Sequence, residues 1–364
     1  MNSLEFDLLP VGTASKSGDC ILLRYGDLAQ GKKQQTIMMI DGGFSDTVAT
    51  TKRYLKNYYN CFYDGYYHID YAFLSHPDGD HINGMVELLK DEEIILGNLI
   101  AAIPWEEATP DWYKDGRITP NSLSQKLEEV FTKLQELQEL AKNKGAKLCG
   151  LKALGKYSLY NNAALFMLGP TKVFYNTCIA NCKNTPTQAE NVKVMSESAS
   201  GSDDSEEVYV AGHIKWDYNE TTSPINESSL IFIFEYDGVK ILFCGDAGKQ
   251  ALKAAISYAN TSHIPLNDLN IIKMPHHGSR HNVTPELMET LISVRTSCYI
   301  SCVKGQEGRH PSKRLVNMLR EKGFKVYTTS GKGLCWRHNA PMRQGWSVVT
   351  TLPTYPMMEK LKNE

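Results

Sequence analysis

The sequence predicts an α/β fold with a chemically active edge, on three observations. Apolar strand-like runs alternate with amphipathic helical segments along most of the chain. Four of those runs end on a polar residue able to hold a metal, at Asp41, His76, Asp246 and His276. The loop Ser75-His76-Pro77-Asp78-Gly79-Asp80-His81 then sets four such donors, His76, Asp78, Asp80 and His81, within six positions. One strand ending this way is ordinary turn chemistry, whereas four are what a site at a sheet edge requires.

Taken in order, residues 4–11 read as the first strand and 12–20 as a Gly/Ser loop. Strands at 21–25 and 36–40, joined by a polar hairpin turn at 26–35, lead to Asp41-Gly42-Gly43. Residues 47–59 are helical, and 69–74 form the strand that feeds the metal loop, where Pro77 fixes φ and Gly79 permits unusual dihedrals. The next helix carries Met85, Leu88 and Leu89 on one face. Leu123, Leu127, Val130, Phe131, Leu134, Leu137 and Ala141 recur at helical spacing and predict one long helix over 121–144, with Pro120 in its first turn and Gly145 at its stop. Trp105, Trp112 and Tyr113, just before it, cover the core, with base stacking as the alternative.

A short strand at 165–168 follows. Residues 181–207 hold almost no apolar side chains and cannot repay their ordering entropy, which predicts a mobile surface insertion, or alternatively a gating loop. Strands at 229–236 and 239–244, turning at Asp237-Gly238, deliver Asp246. The strand at 270–274 delivers Pro275-His276-His277-Gly278-Ser279. Helices at 284–292 and from Arg309-His310-Pro311-Ser312 to Lys322, with strands at 297–303, 324–328 and 346–351, complete the set.

At 364 residues, one large two-layer domain with insertions and two domains are equally compatible with the length. Lys+Arg 39 against Asp+Glu 41 leaves a net charge of −2, which offers no global basic field for long nucleic acid. Nine cysteines without zinc-finger spacing read as reduced, mostly buried thiols of a cytoplasmic protein. The first residues carry acidic groups and no cationic leader, and no apolar stretch reaches membrane-spanning length, so the expectation is a soluble chain with no membrane association.

Asp41-Gly42-Gly43, the Ser-His-Pro-Asp-Gly-Asp-His-Ile-Asn-Gly run from Ser75, Asn226-Glu227-Ser228-Ser229-Leu230, Phe243-Cys244-Gly245-Asp246 and Lys273 to Ser279 together resemble the metallo-β-lactamase superfamily. More narrowly they resemble the hydrolase domain of competence proteins of the ComEC/Rec2 type, whose late motif is matched by Arg309-His310-Pro311-Ser312. The resemblance runs from the first strand to Gly333. It implies one αββα sandwich over 1–364, two mixed β-sheets face to face with helices outside, and a dinuclear site at the sheet edges.

Carried over, the pattern gives His76 and Asp78 to a first metal, Asp80 and His81 to a second, and Asp246 as the bridging carboxylate. One of His276 and His277 ligates the second metal and the other contacts substrate, while Asp41 orients a ligand from behind. The usual middle-motif histidine is absent, with Asn226 in its place and His213 a weak candidate nearby. The oxygen-rich first site shifts preference towards manganese, so the implied cofactors are two divalent ions, Mn²⁺ or Zn²⁺. The implied activity is a phosphodiesterase or nuclease acting on a nucleotide or short nucleic-acid phosphodiester. Asp80, His277 and His310 are the candidate catalytic groups, and Lys273, Ser279, Arg280, Lys304 and His310 the candidate phosphate donors. A thioester or lactone hydrolase of glyoxalase type and a non-catalytic scaffold are the alternatives.

Overall fold

Side chains of a strand alternate between two faces, and in this chain both faces are apolar, so each sheet needs cover on both sides. The computed structural model describes residues 2–13, 16–30, 34–113, 115–116, 118–186, 216, 218, 221–303 and 310–355. Most of the insertion expected at 181–207, together with His213, Lys304 and Arg309, lies outside the described residues. Asn181, where that insertion was to begin, still caps a helix.

The chain runs β1 (Asn2–Leu8), a short ribbon of β2 (Gly12–Thr13) and β3 (Lys16–Ser17), β4 (Cys20–Asp27), β5 (Gln35–Gly42), α1 (Val48–Asn57), β6 (Phe62–Tyr63), β7 (Tyr66–Phe73), α2 (Gly79–Leu89), β8 (Ile94–Ile100), α3 (Pro104–Glu107), α4 (Pro120–Val130), α5 (Thr132–Asn143) and β9 (Lys147–Cys149). It continues with β10 (Gly155–Ser158), β11 (Ala164–Gly169), α6 (Lys172–Ala180), α7 (Pro224–Glu227), β12 (Ile231–Tyr236), β13 (Val239–Phe243), α8 (Lys249–Thr261), β14 (Ile271–Lys273), α9 (Pro285–Leu291), β15 (Ser297–Ile300), α10 (Lys313–Glu321), β16 (Lys325–Thr328) and β17 (Leu334–His338).

One sheet has the order β17-β1-β4-β5-β7-β8-β9, with β6 beside β7, and the other runs β10 to β16 in sequence. Pairing is antiparallel from β17 to β5 and parallel from β5 to β9. The second sheet repeats the scheme, antiparallel from β10 to β13 and parallel from β13 to β16. The switch falls at β5 and at β13, the strands that lead to Asp41 and Asp246. Ligand sites of open α/β sheets lie outside the carboxyl ends of the strands.

Between the sheets Phe6, Leu23, Ile40 and Phe73 meet Phe232, Phe234, Phe243 and Tyr299, with the rings of Phe73 and Phe232 stacked at 4.9 Å. Each such buried ring contributes about 1.5–3 kcal/mol. The neighbours of those residues in sequence face outwards: Leu22, Met39 and Ala72 pack on Leu55 of α1, Ile82 and Met85 of α2 and Leu137 of α5. On the far side Ile233, Leu242 and Ile272 pack on Leu252 of α8, Leu287 of α9 and Leu315 of α10. The chain is an αββα sandwich. Among the described residues no helix is long and apolar enough to cross a membrane, and none of the nine cysteines is paired with another.

Two elements differ from the sequence reading. The long helix expected over 121–144 breaks at Phe131 (φ −109°, ψ 47°) into α4 and α5. Its stripe serves two cores: Leu123 and Leu127 enter the space between the sheets, and Leu134, Leu137 and Ala141 pack outside the first sheet. A straight helix cannot face both, so the chain turns. The expected strand at 346–351 is absent as well, and Val348 is 87% exposed. The free edge of β1 is taken instead by β17, in the register Leu8 to Leu334 through Leu4 to His338. By contrast the hairpin at Asp237-Gly238 has the positive φ values (50° and 77°) that a two-residue turn of type I′ requires.

One backbone contact fixes where α2 sits. A Cβ on Gly84 would lie 1.9 Å from the carbonyl oxygen of Gly42, and one on Gly42 would lie 2.2 Å from the amide nitrogen of Met85. The helix therefore touches the end of β5 backbone to backbone, with Gly84 N–H donating to Gly43 C=O at 2.8 Å. Gly84→Ala is expected to cost about 1–3 kcal/mol or more through overpacking, read as a lower urea midpoint at unchanged m-value. Gly116→Ala, where an added Cβ meets nothing within 4 Å, should stay within about 0.5 kcal/mol of the parent.

Candidate metal centre

Four strand ends meet at one rim. β5 brings Asp41, held at φ 55°, and β7 runs into Ser75 and His76. The N-terminal turn of α2 brings Asp80 and His81, with Asp78 at the capping position but making no capping bond. From the second sheet, β13 leads to Asp246 and β14 to His276 and His277.

Asp41 organises the first-sheet side. Its Oδ1 accepts Ser75 N–H at 2.7 Å, and its Oδ2 accepts Ser75 Oγ–H at 2.7 Å and His81 Nδ1–H at 2.8 Å. Because the Ser75 hydroxyl hydrogen goes to Asp41, Ser75 Oγ accepts from His76 Nδ1 at 3.0 Å. On the other side His277 Nδ1–H donates to the Ser301 carbonyl at 3.2 Å. His276 Nδ1–H donates to Asn282 Oδ1 at 3.0 Å, an assignment set by Asn282 Nδ2 donating to the carbonyls of Asp246 and Ala247. All four imidazoles are thus anchored through Nδ1 and aim Nε2 into the cleft. This is how ligating histidines are oriented.

The Nε2 atoms fall into two groups. His76 Nε2 lies 3.6 Å from Asp78 Oδ2 and 3.9 Å from Asp246 Oδ2, and His276 Nε2 lies 3.7 Å from that same Asp246 oxygen. His81 Nε2 lies 3.5 Å from Asp246 Oδ1 and 3.8 Å from Asp80 Oδ2, and His277 Nε2 lies 3.3 Å from Asp80 Oδ2. Asp246 offers one oxygen to each group.

The residues present fit a divalent cation. His76 Nε2, His81 Nε2 and Asp246 Oδ1 are buried with no hydrogen-bond partner, a state that costs about 1–3 kcal/mol per atom unless something else answers it. Two donors on one tetrahedral ion, bonded at 2.0–2.1 Å, stand about 3.4 Å apart, close to the separations found. Asp80, His81 and His277 form one potential metal-holding cluster within the second group, and His76, His81 and Asp246 form another that spans the two groups.

The charges support one another. Burial alone would lower the pKa of His81, but Asp246, Asp41 and Asp80 hold it well above the ordinary imidazole value. A cation bound here displaces that proton. Burial would raise Asp246, but His276, His81 and His76 hold it well below the usual carboxylate range. Burial, with His277 beside it, pushes His276 down despite Asp246. His310, its ring 5.7 Å from that of His276 and 6.0 Å from that of His277, is pushed down to about 3 by burial and by those two histidines. It stays neutral at physiological pH.

Several residues sit elsewhere than the sequence reading put them. Lys273 does not face the cleft: its side chain is 1% exposed and its ammonium bonds the buried Asp19 at 2.6 Å. Ser279 is buried and its Oγ accepts His281 N–H at 3.2 Å, closing a turn. Asn226 donates to Thr222 Oγ1 at 2.8 Å and stands 3.4 Å from His276 Nδ1, on the side of the ring away from the cleft. Tyr113, by contrast, lies in the core between the sheets as expected, and Trp105 and Trp112 pack half-buried against that core. Two participants were missed. Asp19 binds Lys273, donates its own N–H to Asp80 C=O at 3.1 Å and lies 3.7 Å from His277 Nδ1; its only sequence signal is a carboxylate between glycine and a strand. Asn282 carries no signal of its own.

No family model matches the chain, and no curated protein matches it in sequence. Among solved structures it is similar to the metallo-β-lactamase fold protein YhfI from Bacillus subtilis, at 8% identity over 93% of this chain and 100% of that one, with a TM-score of 0.40. Unliganded yeast PDE1 is similar at 12% identity over 92% and 99%, with a TM-score of 0.46. Zn²⁺-bound PqqB from Methylobacterium extorquens is similar at 9% identity over 86% and 86%, with a TM-score of 0.41.

Removing the charge behind His81 while keeping its shape, Asp41→Asn, should weaken metal binding about 10–100-fold in a chelator competition. Lys273→Met leaves Asp19 buried without its cation and should lower unfolding free energy by about 3–5 kcal/mol in urea.

Proposed function

We propose that the chain is a metal-dependent hydrolase of phosphodiesters, in the phosphodiesterase or nuclease class, using two divalent cations, Mn²⁺ or Zn²⁺. The observation that carries the reading is the set of four anchored imidazoles aimed at the two sides of one buried carboxylate. Cations held there supply Lewis acidity towards a phosphate oxygen and make a water acidic enough to ionise near neutral pH.

The chain's own groups do the rest. His76 and Asp78 hold one side, Asp80, His81 and His277 the other, and Asp246 keeps the two in fixed relation. Asp41 and Ser75 keep the rings from turning. His310 presents a neutral imidazole beside the histidine pair, suited to hydrogen-bonding a phosphate oxygen without bringing a charge of its own. The three carboxylates among the ligands favour manganese. Phosphate esters are preferred over thioesters or lactones on the ComEC/Rec2-type motifs and on this oxygen-rich ligand set. With Lys273 committed to Asp19 and a near-neutral net charge, short or single-stranded substrates suit the site better than long duplexes.

The test is metal content together with hydrolysis of bis-p-nitrophenyl phosphate in Mn²⁺ or Zn²⁺. Two bound ions and manganese-dependent turnover are expected, falling about a hundredfold or more in Asp80→Ala and Asp246→Ala, since even residues behind the ligands cost 10–100-fold. Two bound ions with thioester or lactone opening and no phosphodiester cleavage would transfer the chain to the glyoxalase-type reading. A protein that binds no metal would be a scaffold.

A further inference from the structure

We infer that His276 is a ligand of the first metal, supplying the imidazole that Asn226 does not, so that the adjacent histidines are divided between the two cations. The inference rests on the metal-dependent reading above and deepens it.

Three observations carry it. His276, His277 and Gly278 all have positive φ, at 45°, 52° and 78°. Left-handed backbone is unfavourable at a non-glycine residue and persists only where the surroundings impose it. Here they do, through Gly278 N–H to Pro275 C=O, Ser279 N–H to His276 C=O and Ser312 N–H to Gly278 C=O. The strained turn presents two neighbouring rings to one cleft.

Second, each ring has its own anchor and its own target. The Asn282 amide that takes the Nδ1 hydrogen of His276 is fully buried and fixed by two carbonyls. That leaves His276 Nε2 3.7 Å from Asp246 Oδ2, the oxygen shared with His76, while His277 Nε2 is 3.3 Å from Asp80. Third, Asn226 lies on the Nδ1 side of the His276 ring and Asp246 on the Nε2 side. The ring of His276 therefore stands between Asn226 and the first site, where a ligand at position 226 would have to reach. An Asn that cannot reach the metal and a histidine that can are one arrangement.

The variant to make is His276→Gly, because glycine adopts φ 45° without strain and the turn is kept. The full chain is loaded with Mn²⁺, and metal content and electron paramagnetic resonance are read. The wild type should hold two equivalents with a coupled-pair spectrum. His276→Gly should hold one, with an uncoupled six-line spectrum, and added imidazole should restore the second. Combining it with His76→Ala should lose nothing more, whereas combining it with Asp80→Ala should leave none. Two tight equivalents in His276→Gly, with only a raised KM for bis-p-nitrophenyl phosphate, would make His276 a substrate contact and overturn the inference. One equivalent still held in the Asp80→Ala combination would assign it to the second site and overturn it too. A wild type that binds no metal would instead remove the metal-dependent reading itself, and this inference with it.

Discussion

Three hydrogens converge on the carboxylate of Asp41, from the Ser75 amide, the Ser75 hydroxyl and the His81 ring. With both oxygens occupied, neither His76 nor His81 can turn without leaving a buried polar group unanswered. The lock works only if α2 comes within hydrogen-bond reach of the end of β5. That reach exists because Gly42 and Gly84 let two backbones touch where any side chain would hold them apart. Orientation of the ligands is thus a consequence of a glycine contact on the far side of the loop.

The second sheet is joined to this arrangement by charge. Lys273 on β14 and Asp19 just before β4, 254 residues apart, form a buried pair, and the Asp19 amide holds the Asp80 carbonyl. Burial would raise the Asp19 pKa, yet Lys273, with His277 and His81, holds it below the usual carboxylate range. Such a pair adds little net stability against an apolar replacement. Its place, between the loop carrying Asp80 and the turn carrying His277, makes it a fixed spacer between candidate ligands that come from different sheets.

Much of this was legible in the sequence, for a physical reason. A buried strand that ends on a carboxylate or imidazole beside glycine is a local pattern, and Asp41, His76, Asp246 and His276 each show it. The strands were legible as continuous apolar runs, since both faces are buried: Leu22 and Leu23 enter opposite cores. What escaped was set by distant partners. The helical stripe from Leu123 to Ala141 keeps one period while serving two cores, so its break at Phe131 is invisible to periodicity. Lys273 reads as a phosphate donor until Asp19 is placed beside it, and Asn282 acquires a role only when the turn at His276 folds back over Asp246. Residues 334–338 close an edge of β1 that the sequence pattern does not announce.

That last pairing bears on how the chain is made. The two sheets repeat one scheme of antiparallel and parallel pairing, which suggests halves that fold separately, but β1 cannot be finished by its own half. Its outer edge waits for β17, and its buried Asp7, which already accepts the Tyr59 hydroxyl at 2.7 Å, gains Arg343, bonded through two guanidinium nitrogens at 2.7 Å. On the ribosome these residues emerge some three hundred positions after the strand they complete, roughly 15–60 s later at ordinary synthesis rates. For that interval the first sheet carries an open edge, and Arg24 of β4 is the cation that answers Glu5. An unpaired edge of that kind stays open to pairing with another chain until the last strand arrives.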